Sequence, residues 1–193
     1  MMDSTELKKT KTGENLKLAL AGESIARNKY TYFADLARKQ GNSEVADALD
    51  EMAKNEMTHA RLWYELLNGK PSSVKECLTE AANGEFGEWN SMYPKFAEQA
   101  RADGREDIAV MFEHVADIER SHENRFMTML VNLQRTDLSA KKDSAKEVPV
   151  TAIPRKKKSG YRCQFCGAIY DERPDVCGVC QAIGAFDSVE YYE

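Results

Sequence analysis

The sequence predicts an all-α four-helix bundle followed by a small, metal-bound, β-rich module at its C-terminal end. Three observations predict it: an ExxH motif that occurs twice, an internal repeat, and two CxxC pairs near the C-terminus. Glu56-x-x-His59 and Glu119-x-x-His122 each set a carboxylate and an imidazole three residues apart, on one face of a helix, where both reach one metal ion. A lone glutamate precedes each pair, Glu23 by 33 residues and Glu85 by 34. Two such pairs, with one Glu from each of two other helices, form the ligand set of a di-metal site inside a four-helix bundle. The chain has three histidines and two of them lie in these pairs, which points to redox iron chemistry.

The repeat strengthens the spacing. Shifted by 63 residues, Tyr30 falls on Tyr93, Phe33 on Phe96, Ala34 on Ala97, Ala37 on Ala100 and Arg38 on Arg101. The same shift takes Gly41 to Gly104, Ala46 to Ala109, Ala53 to Ala116, Glu56 to Glu119 and His59 to His122. Each half reads as a helix, a glycine turn and a second helix running back. The lone Glu lies about 18 residues before the turn and the ExxH Glu about 15 after it. At ~1.5 Å per residue these are ~27 and ~22 Å, so both groups sit at nearly one height.

Apolar residues at helical spacing run from Leu16 through Ala37, predicting a first helix over 12–40 that Gly41 ends. Ser43 is the expected cap of the second helix, which runs to about Leu67 and stops at Asn68-Gly69 and Pro71. Residues 70–78 make the crossover, and Thr79 is the expected N-cap of a third helix ending at Asp103-Gly104. The fourth runs from about Arg105 to Leu133. The polar stretch that follows, with Pro149, Pro154 and the basic run 155–158, reads as a linker. The predicted division is therefore 1–135 bundle, 136–158 linker and 159–193 metal module. A flexible stretch of that length spans ~25–30 Å, enough to reach another subunit.

One irregularity is expected inside the third helix. Glu23 and Glu85 are 62 apart where every other repeat pair is 63 apart, so Glu85 to Tyr93 is eight residues against seven from Glu23 to Tyr30. In a regular helix the extra residue turns Tyr93 ~100° off the shared face. A π-bulge absorbs one residue, such bulges cluster at functional sites, and Pro94 favours a break there.

Composition limits the function classes. Hydrophobic residues make up 42% and charged residues 31%, ordinary for a helix-rich soluble protein. A net charge of −5 argues against wholesale nucleic-acid binding. No apolar run approaches the ~20 residues of a membrane span, and the start MMDSTELKKT is no secretory signal, so a cytoplasmic protein is expected. Four of five cysteines are paired as CxxC, which in a reducing cytosol means metal; Cys77 stands alone and is expected as a buried small hydrophobe.

Cys163-x-x-Cys166 and Cys177-x-x-Cys180 are two knuckles for a tetrahedral four-thiolate site. A segment of ~35 residues buries little apolar surface, so the metal must hold it together. Iron and zinc share this ligand set. No glycine-rich nucleotide fingerprint occurs, so the nicotinamide of any NADH-linked chemistry binds elsewhere.

With both sites in this order, the chain resembles the rubrerythrin family, a ferritin-like di-iron domain followed by a rubredoxin-like Fe(SCys)4 domain. The resemblance rests on AGESIARNKYTYFADLA, KNEMTHARLW, NGEFGEWNSMYPKFAEQA and ADIERSHENRF for the four ligand-bearing helices, and on YRCQFCGAIY and DVCGVC for the knuckles. Gly178 departs from stand-alone rubredoxins, which commonly have Pro after the third cysteine, and the loop between the knuckles is short. The departure bears on the reduction potential more than on the metal.

The resemblance implies that Glu23, Glu56, Glu85, Glu88, Glu119 and His122 are iron ligands, with Glu56 and Glu119 bridging. His59 is the alternative to Glu88 in the reduced state, and Tyr30 and Tyr93 stand beside the site. It implies reduction of hydrogen peroxide to water, with electrons relayed through the cysteine-bound iron from a rubredoxin or a flavoprotein reductase, in a homodimer. A ferroxidase or iron-storage protein and a non-enzymatic redox sensor are the alternatives. Glu88 and the cysteine module argue against the first, and peroxide turnover with a reducing partner separates the second. His114 is expected at the helix surface, and Glu123, ~100° around from His122, is expected not to be a ligand.

Overall fold

The computed structural model describes residues 4–141 and 157–192. It divides into two compact units, Met1–Pro71 and Ser72–Glu193, each described by itself.

The first unit is a helical hairpin. A short α1 (Ser4–Leu7) leads to α2 (Lys11–Lys39), whose N-terminus is capped by Thr10 Oγ1 accepting from the Gly13 amide at 3.1 Å. At the other end Gly41 takes φ +77°, so that its N–H reaches Arg38 O at 3.0 Å and the Asn42 N–H reaches Ala37 O at 2.9 Å. This is the Schellman arrangement that closes a helix on a left-handed residue. The cap of α3 (Ser43–Asn68) is Asn42, one residue before the expected Ser43, because its Oδ1 accepts from the Val45 amide at 3.2 Å. Gly69, at φ +81°, ends α3.

The second unit opens with α4 (Val74–Gly87), whose cap, Ser73, lies six residues before the expected Thr79. A capping box sets this start: Ser73 Oγ accepts from the Glu76 amide at 3.2 Å, and Glu76 Oε2 accepts from the Ser72 amide at 2.6 Å. Thr79 sits inside the helix and donates its hydroxyl to Lys75 O at 2.8 Å. Then comes the expected irregularity, a π-helical turn over Glu88–Met92 in which the Tyr93 N–H donates to Glu88 O, five residues back. The chain continues as α5 (Tyr93–Ala102), turns at Gly104 with φ +75°, and returns as α6 (Glu106–Lys141). The turn repeats that at Gly41, with Gly104 N–H to Arg101 O at 3.0 Å and Arg105 N–H to Ala100 O at 2.8 Å. Helix α6 passes the expected end at Leu133 and runs into the predicted linker, since neither Gly nor Pro occurs before Pro149 to stop it.

The repeat is visible in the packing. Ala34, Ala37 and Ala46 form a buried cluster with Leu49 against it, and Ala97, Ala100 and Ala109 form another with Ile108 and Phe112. Each buried alanine of the first cluster has its counterpart 63 positions on in the second, and Leu49 corresponds to Phe112. Alanines here let the two helices of each hairpin approach closely beside the turn. The polar seam repeats too: Arg38 pairs with Asp50, and Arg101 pairs with Glu113 at 2.7 Å.

Two further expectations need correction. Cys77 is exposed, not buried, because it lies in the first turns of α4, where nothing in its own unit covers it. Lys157 and Lys158 of the basic run belong to a strand, and Lys157 Nζ pairs with Glu190 at 2.6 Å. The rest of the predicted linker beyond Lys141, with Arg155 and Lys156, lies outside the described residues.

The module at the end is a three-stranded antiparallel sheet with β1 (Lys157–Cys163) between β2 (Ile169–Tyr170) and β3 (Phe186–Tyr192). Cys163, Ala168, Cys177 and Phe186 form its core, and Ile118 of α6 packs into the same cluster. Among the described residues, no helix is long and apolar enough to cross a membrane.

Because Gly104 holds a left-handed conformation with open space around it, Gly104→Ala is expected to cost about 1 kcal/mol through backbone strain alone. Urea denaturation of the metal-free protein reads this directly. An unchanged midpoint would show that the turn does not constrain the hairpin.

Candidate metal centres

Helical spacing builds each carboxylate site. On α3, His59 Nδ1 donates to Glu56 Oε2 at 2.9 Å, one turn back, and Glu23 Oε1 on α2 lies 3.9 Å from the same nitrogen. On α6, His122 Nδ1 donates to Glu119 Oε2 at 2.6 Å, and Glu85 Oε2 on α4 lies 4.0 Å away. Glu23, Glu56 and His59 thus form one triad and Glu85, Glu119 and His122 another, each with ligand atoms within 4.8 Å of one another. Two carboxylates and an imidazole form a mixed oxygen and nitrogen donor set that suits iron in either oxidation state.

Glu88 and Tyr93 border the second triad without joining it. Burial and the neighbouring Glu119 carboxylate push the Glu88 carboxyl above its usual range, against the opposing effect of His122. Burial, then the charges of Glu88, Glu119 and Glu85, push the Tyr93 hydroxyl upward. Tyr93 therefore senses all three carboxylates, consistent with a π turn that restores it to their side. Tyr30 is half-buried on α2, and His114 is exposed on α6, as expected.

Some neighbours of the triad were not legible in the spacing. Trp89 Nε1 donates to Glu123 Oε2 at 2.8 Å, and the Arg120 guanidinium sits 5.3 Å from the centre of the Trp89 ring. These contacts tie the π turn to α6 beside Glu119 and His122. They give Glu123 a partner of its own, the Trp89 indole.

The four cysteines converge as two matching knuckles. The Cys163 amide donates to Ala168 O and the Cys177 amide to Ala182 O, both at 2.8 Å. Gly167 at φ +82° and Gln181 at φ +61° make the corresponding left-handed turns. Cys163 Sγ lies 3.6 Å from Cys180 Sγ, and Cys166 Sγ 3.5 Å from Cys177 Sγ. A tetrahedron with metal–sulfur bonds of about 2.3 Å has edges of about 3.8 Å, so the cluster fits one thiolate-bound ion. Burial pushes the Cys166 thiol up to about 12. Burial also opposes the Cys177 thiolate, but the amides of Cys180 and Val179 and the Tyr170 hydroxyl outweigh it and bring that thiol down to about 6.

The module rests on the second triad within the same unit. A Cβ added to Gly167 would lie 2.8 Å from His122 Nε2 and 3.4 Å from Ile118 Cγ2. Glycine is needed there twice, for its positive φ and for this close approach.

The carboxylate crowding has a measurable sign. Glu85 is raised by burial first, then by the charge and hydrogen bond of Glu119, against His122. A carboxyl raised in the folded state binds more protons there than when unfolded, so its contribution to stability falls as pH rises above the ordinary carboxylate range. Metal-free Glu85→Gln is therefore expected to be more stable than wild type at neutral pH, with the advantage vanishing at low pH, where Glu85 of the wild type is protonated both folded and unfolded. Urea unfolding of chelator-treated protein across that range tests this. A constant difference at all pH values would refute it.

Comparison with known proteins finds relatives along most of the chain. The family model for rubrerythrin matches residues 14–75 and 76–160. Rubrerythrin-1 of Clostridium acetobutylicum is 34% identical, covering 90% of this chain and 91% of that protein. Rubrerythrin of Nitratidesulfovibrio vulgaris is 31% identical, covering 90% and 91%. Among solved structures, fully reduced nigerythrin aligns over 91% of this chain and 85% of that one, at 27% identity and a TM-score of 0.39. The family implies a di-iron centre and a rubredoxin-like iron, and the Glu/Glu/His triads and the four cysteines are groups of donors of the kind that such ions take. On the extent of the family match and the identity to its members, this chain belongs to the rubrerythrin family.

Proposed function

We propose that the chain is a non-haem di-iron peroxidase that reduces hydrogen peroxide to water in defence against oxidative stress. Electrons reach the di-iron centre through the rubredoxin-like iron. The observation that carries this reading is the approach of Gly167 to His122 Nε2, 2.8 Å from the position of an added Cβ. A knuckle of one metal site thereby abuts a ligand of the other, a contact that supports electron passage and that a ferroxidase or storage protein does not need. When bound, the di-iron centre supplies the two electrons that split one O–O bond, and the cysteine-bound iron returns them singly.

The chain's own residues do the remaining work. Glu23, Glu56, Glu85, Glu119 and His122 would hold the ions, Glu56 and Glu119 in the bridging role that the family resemblance implies. With iron bound, Glu88 would offer hard carboxylate oxygen suited to the ferric state and His59 neutral imidazole suited to the ferrous state, as alternative ligands of one ion. Tyr93, its hydroxyl pushed upward by burial and then by the charges of Glu88, Glu119 and Glu85, is the proton-bearing group beside these carboxylates, and Tyr30 is its counterpart in the repeat. The donor is a rubredoxin or a flavoprotein reductase, fed in turn by NADH, and the protein acts as a cytoplasmic homodimer.

Two substitutions test this reading. Protein from iron-replete cells is expected to be red and to bleach on reduction; Cys163→Ser abolishes the colour and peroxide turnover with a protein donor while the helices remain folded by circular dichroism. A colourless wild type carrying one zinc per chain at the cysteine site would overturn the relay. Separately, Glu88→Ala is expected to keep its iron and lose at least ~10-fold in peroxide turnover, a loss of about 1.4 kcal/mol in transition-state stabilisation. Unchanged peroxide rate constants would remove Glu88 from the mechanism and favour the ferroxidase alternative.

A further inference from the structure

Tyr170 Oη lies 3.2 Å from Cys177 Sγ and accepts a hydrogen bond from the Gly178 amide at 3.0 Å. The ring is held in place: it meets Phe186 edge-on at 5.9 Å, and Tyr170 pairs with Tyr161 in the sheet. Because the Gly178 N–H already occupies the oxygen as donor, the hydroxyl proton is free for another acceptor. A metal-bound thiolate carries no proton and can only accept. The bonds therefore run in one direction, from Gly178 N–H to Tyr170 Oη and from Tyr170 O–H to Cys177 Sγ.

This chain depends on an amide at position 178. Proline, common after the third cysteine of stand-alone rubredoxins, has no N–H and could not orient the hydroxyl. The departure noted in the sequence thus has a structural consequence at the sulfur.

We propose that Tyr170 sets the potential of the relay: oriented by Gly178, it donates to the Cys177 thiolate and raises the reduction potential of the iron held by the four cysteines. The proposal rests on the reading that this site holds iron. Reduction adds one electron from the donor protein to the ferric ion, makes and breaks no bond, and leaves the Tyr170 proton on Oη. The four-sulfur group gains one negative charge, so a donor aimed at a sulfur stabilises the reduced state more than the oxidised one. The Cys180 and Val179 amides already donate to Cys177 Sγ, and Tyr170 adds a side-chain donor to the same atom. The effect is a relay that fills more readily from a given donor.

Spectroelectrochemical titration of the full chain, reconstituted with ferrous iron and followed through its thiolate-to-iron absorption, tests this. Tyr170→Phe keeps the ring and removes the donor; its reduction equilibrium constant is expected to fall about tenfold, about 59 mV for a one-electron couple. Gly178→Ala retains the amide and is expected to match wild type, while Gly178→Pro shifts the midpoint in the same direction as Tyr170→Phe, by less. An unchanged midpoint in iron-loaded Tyr170→Phe overturns the proposal and leaves the relay itself standing. If Tyr170→Phe fails to hold iron, equal midpoints for Gly178→Pro and Gly178→Ala overturn it. A wild-type chain that takes up no iron at its cysteines overturns both this inference and the relay reading.

Discussion

The burial of carboxylates gathered beside His122, and their repulsion of one another, is the constraint on which the second helical hairpin turns. Around Glu119, the carboxyls of Glu85 and Glu88 and the hydroxyl of Tyr93 are all pushed toward their protonated forms, by burial first and by one another's charge after it. Without a cation this arrangement works against folding, so something else must hold it. The hairpins do that near their turns, through close-packed alanines and the Arg38–Asp50 and Arg101–Glu113 pairs. The stabilising contacts and the destabilising site lie at different heights along the same helices. A metal site can thus be preformed, with the binding of iron relieving the charge it was built around.

The π turn shows how such a site alters regular structure. One extra residue between Glu85 and Tyr93 would rotate the tyrosine away from the carboxylates, and the bond from Tyr93 N–H to Glu88 O takes up that residue locally. Trp89 anchors the turn by its bond to Glu123, so the distortion is braced from α6, the helix that carries the second ExxH pair. The irregular backbone therefore sits between two side chains of α4 and α6 that must stay in register.

The cysteine module works the other way. It has little core of its own, and two of its largest buried side chains are Cys163 and Cys177, so its ligands and its core are the same residues. Ile118 completes that core from α6, one turn before His122 and beside the Gly167 contact. The packing that steadies the small module is also the packing that brings it to the ligand helix.

The sequence by itself determined the two helical hairpins, both Glu/Glu/His groupings, the four-cysteine cluster and the need for a helical irregularity near Tyr93. Each follows from local periodicity: three-residue spacing puts ligands on one face, glycine permits a left-handed turn, and a 62-residue offset against 63 requires an inserted residue. Helix starts were legible only to within a few residues. Asn42 outcompetes Ser43 as a cap, and the Ser73–Glu76 box outcompetes Thr79, because either residue type can cap and only the final backbone path selects one. The tertiary structure alone decided the exposure of Cys77, the Trp89–Glu123 and Tyr170–Cys177 bonds, and the seating of Gly167 on His122. Those contacts join residues between 7 and 45 positions apart, or depend on which face a neighbour covers. No local period encodes them, since they form only when separate elements bring their side chains to one place.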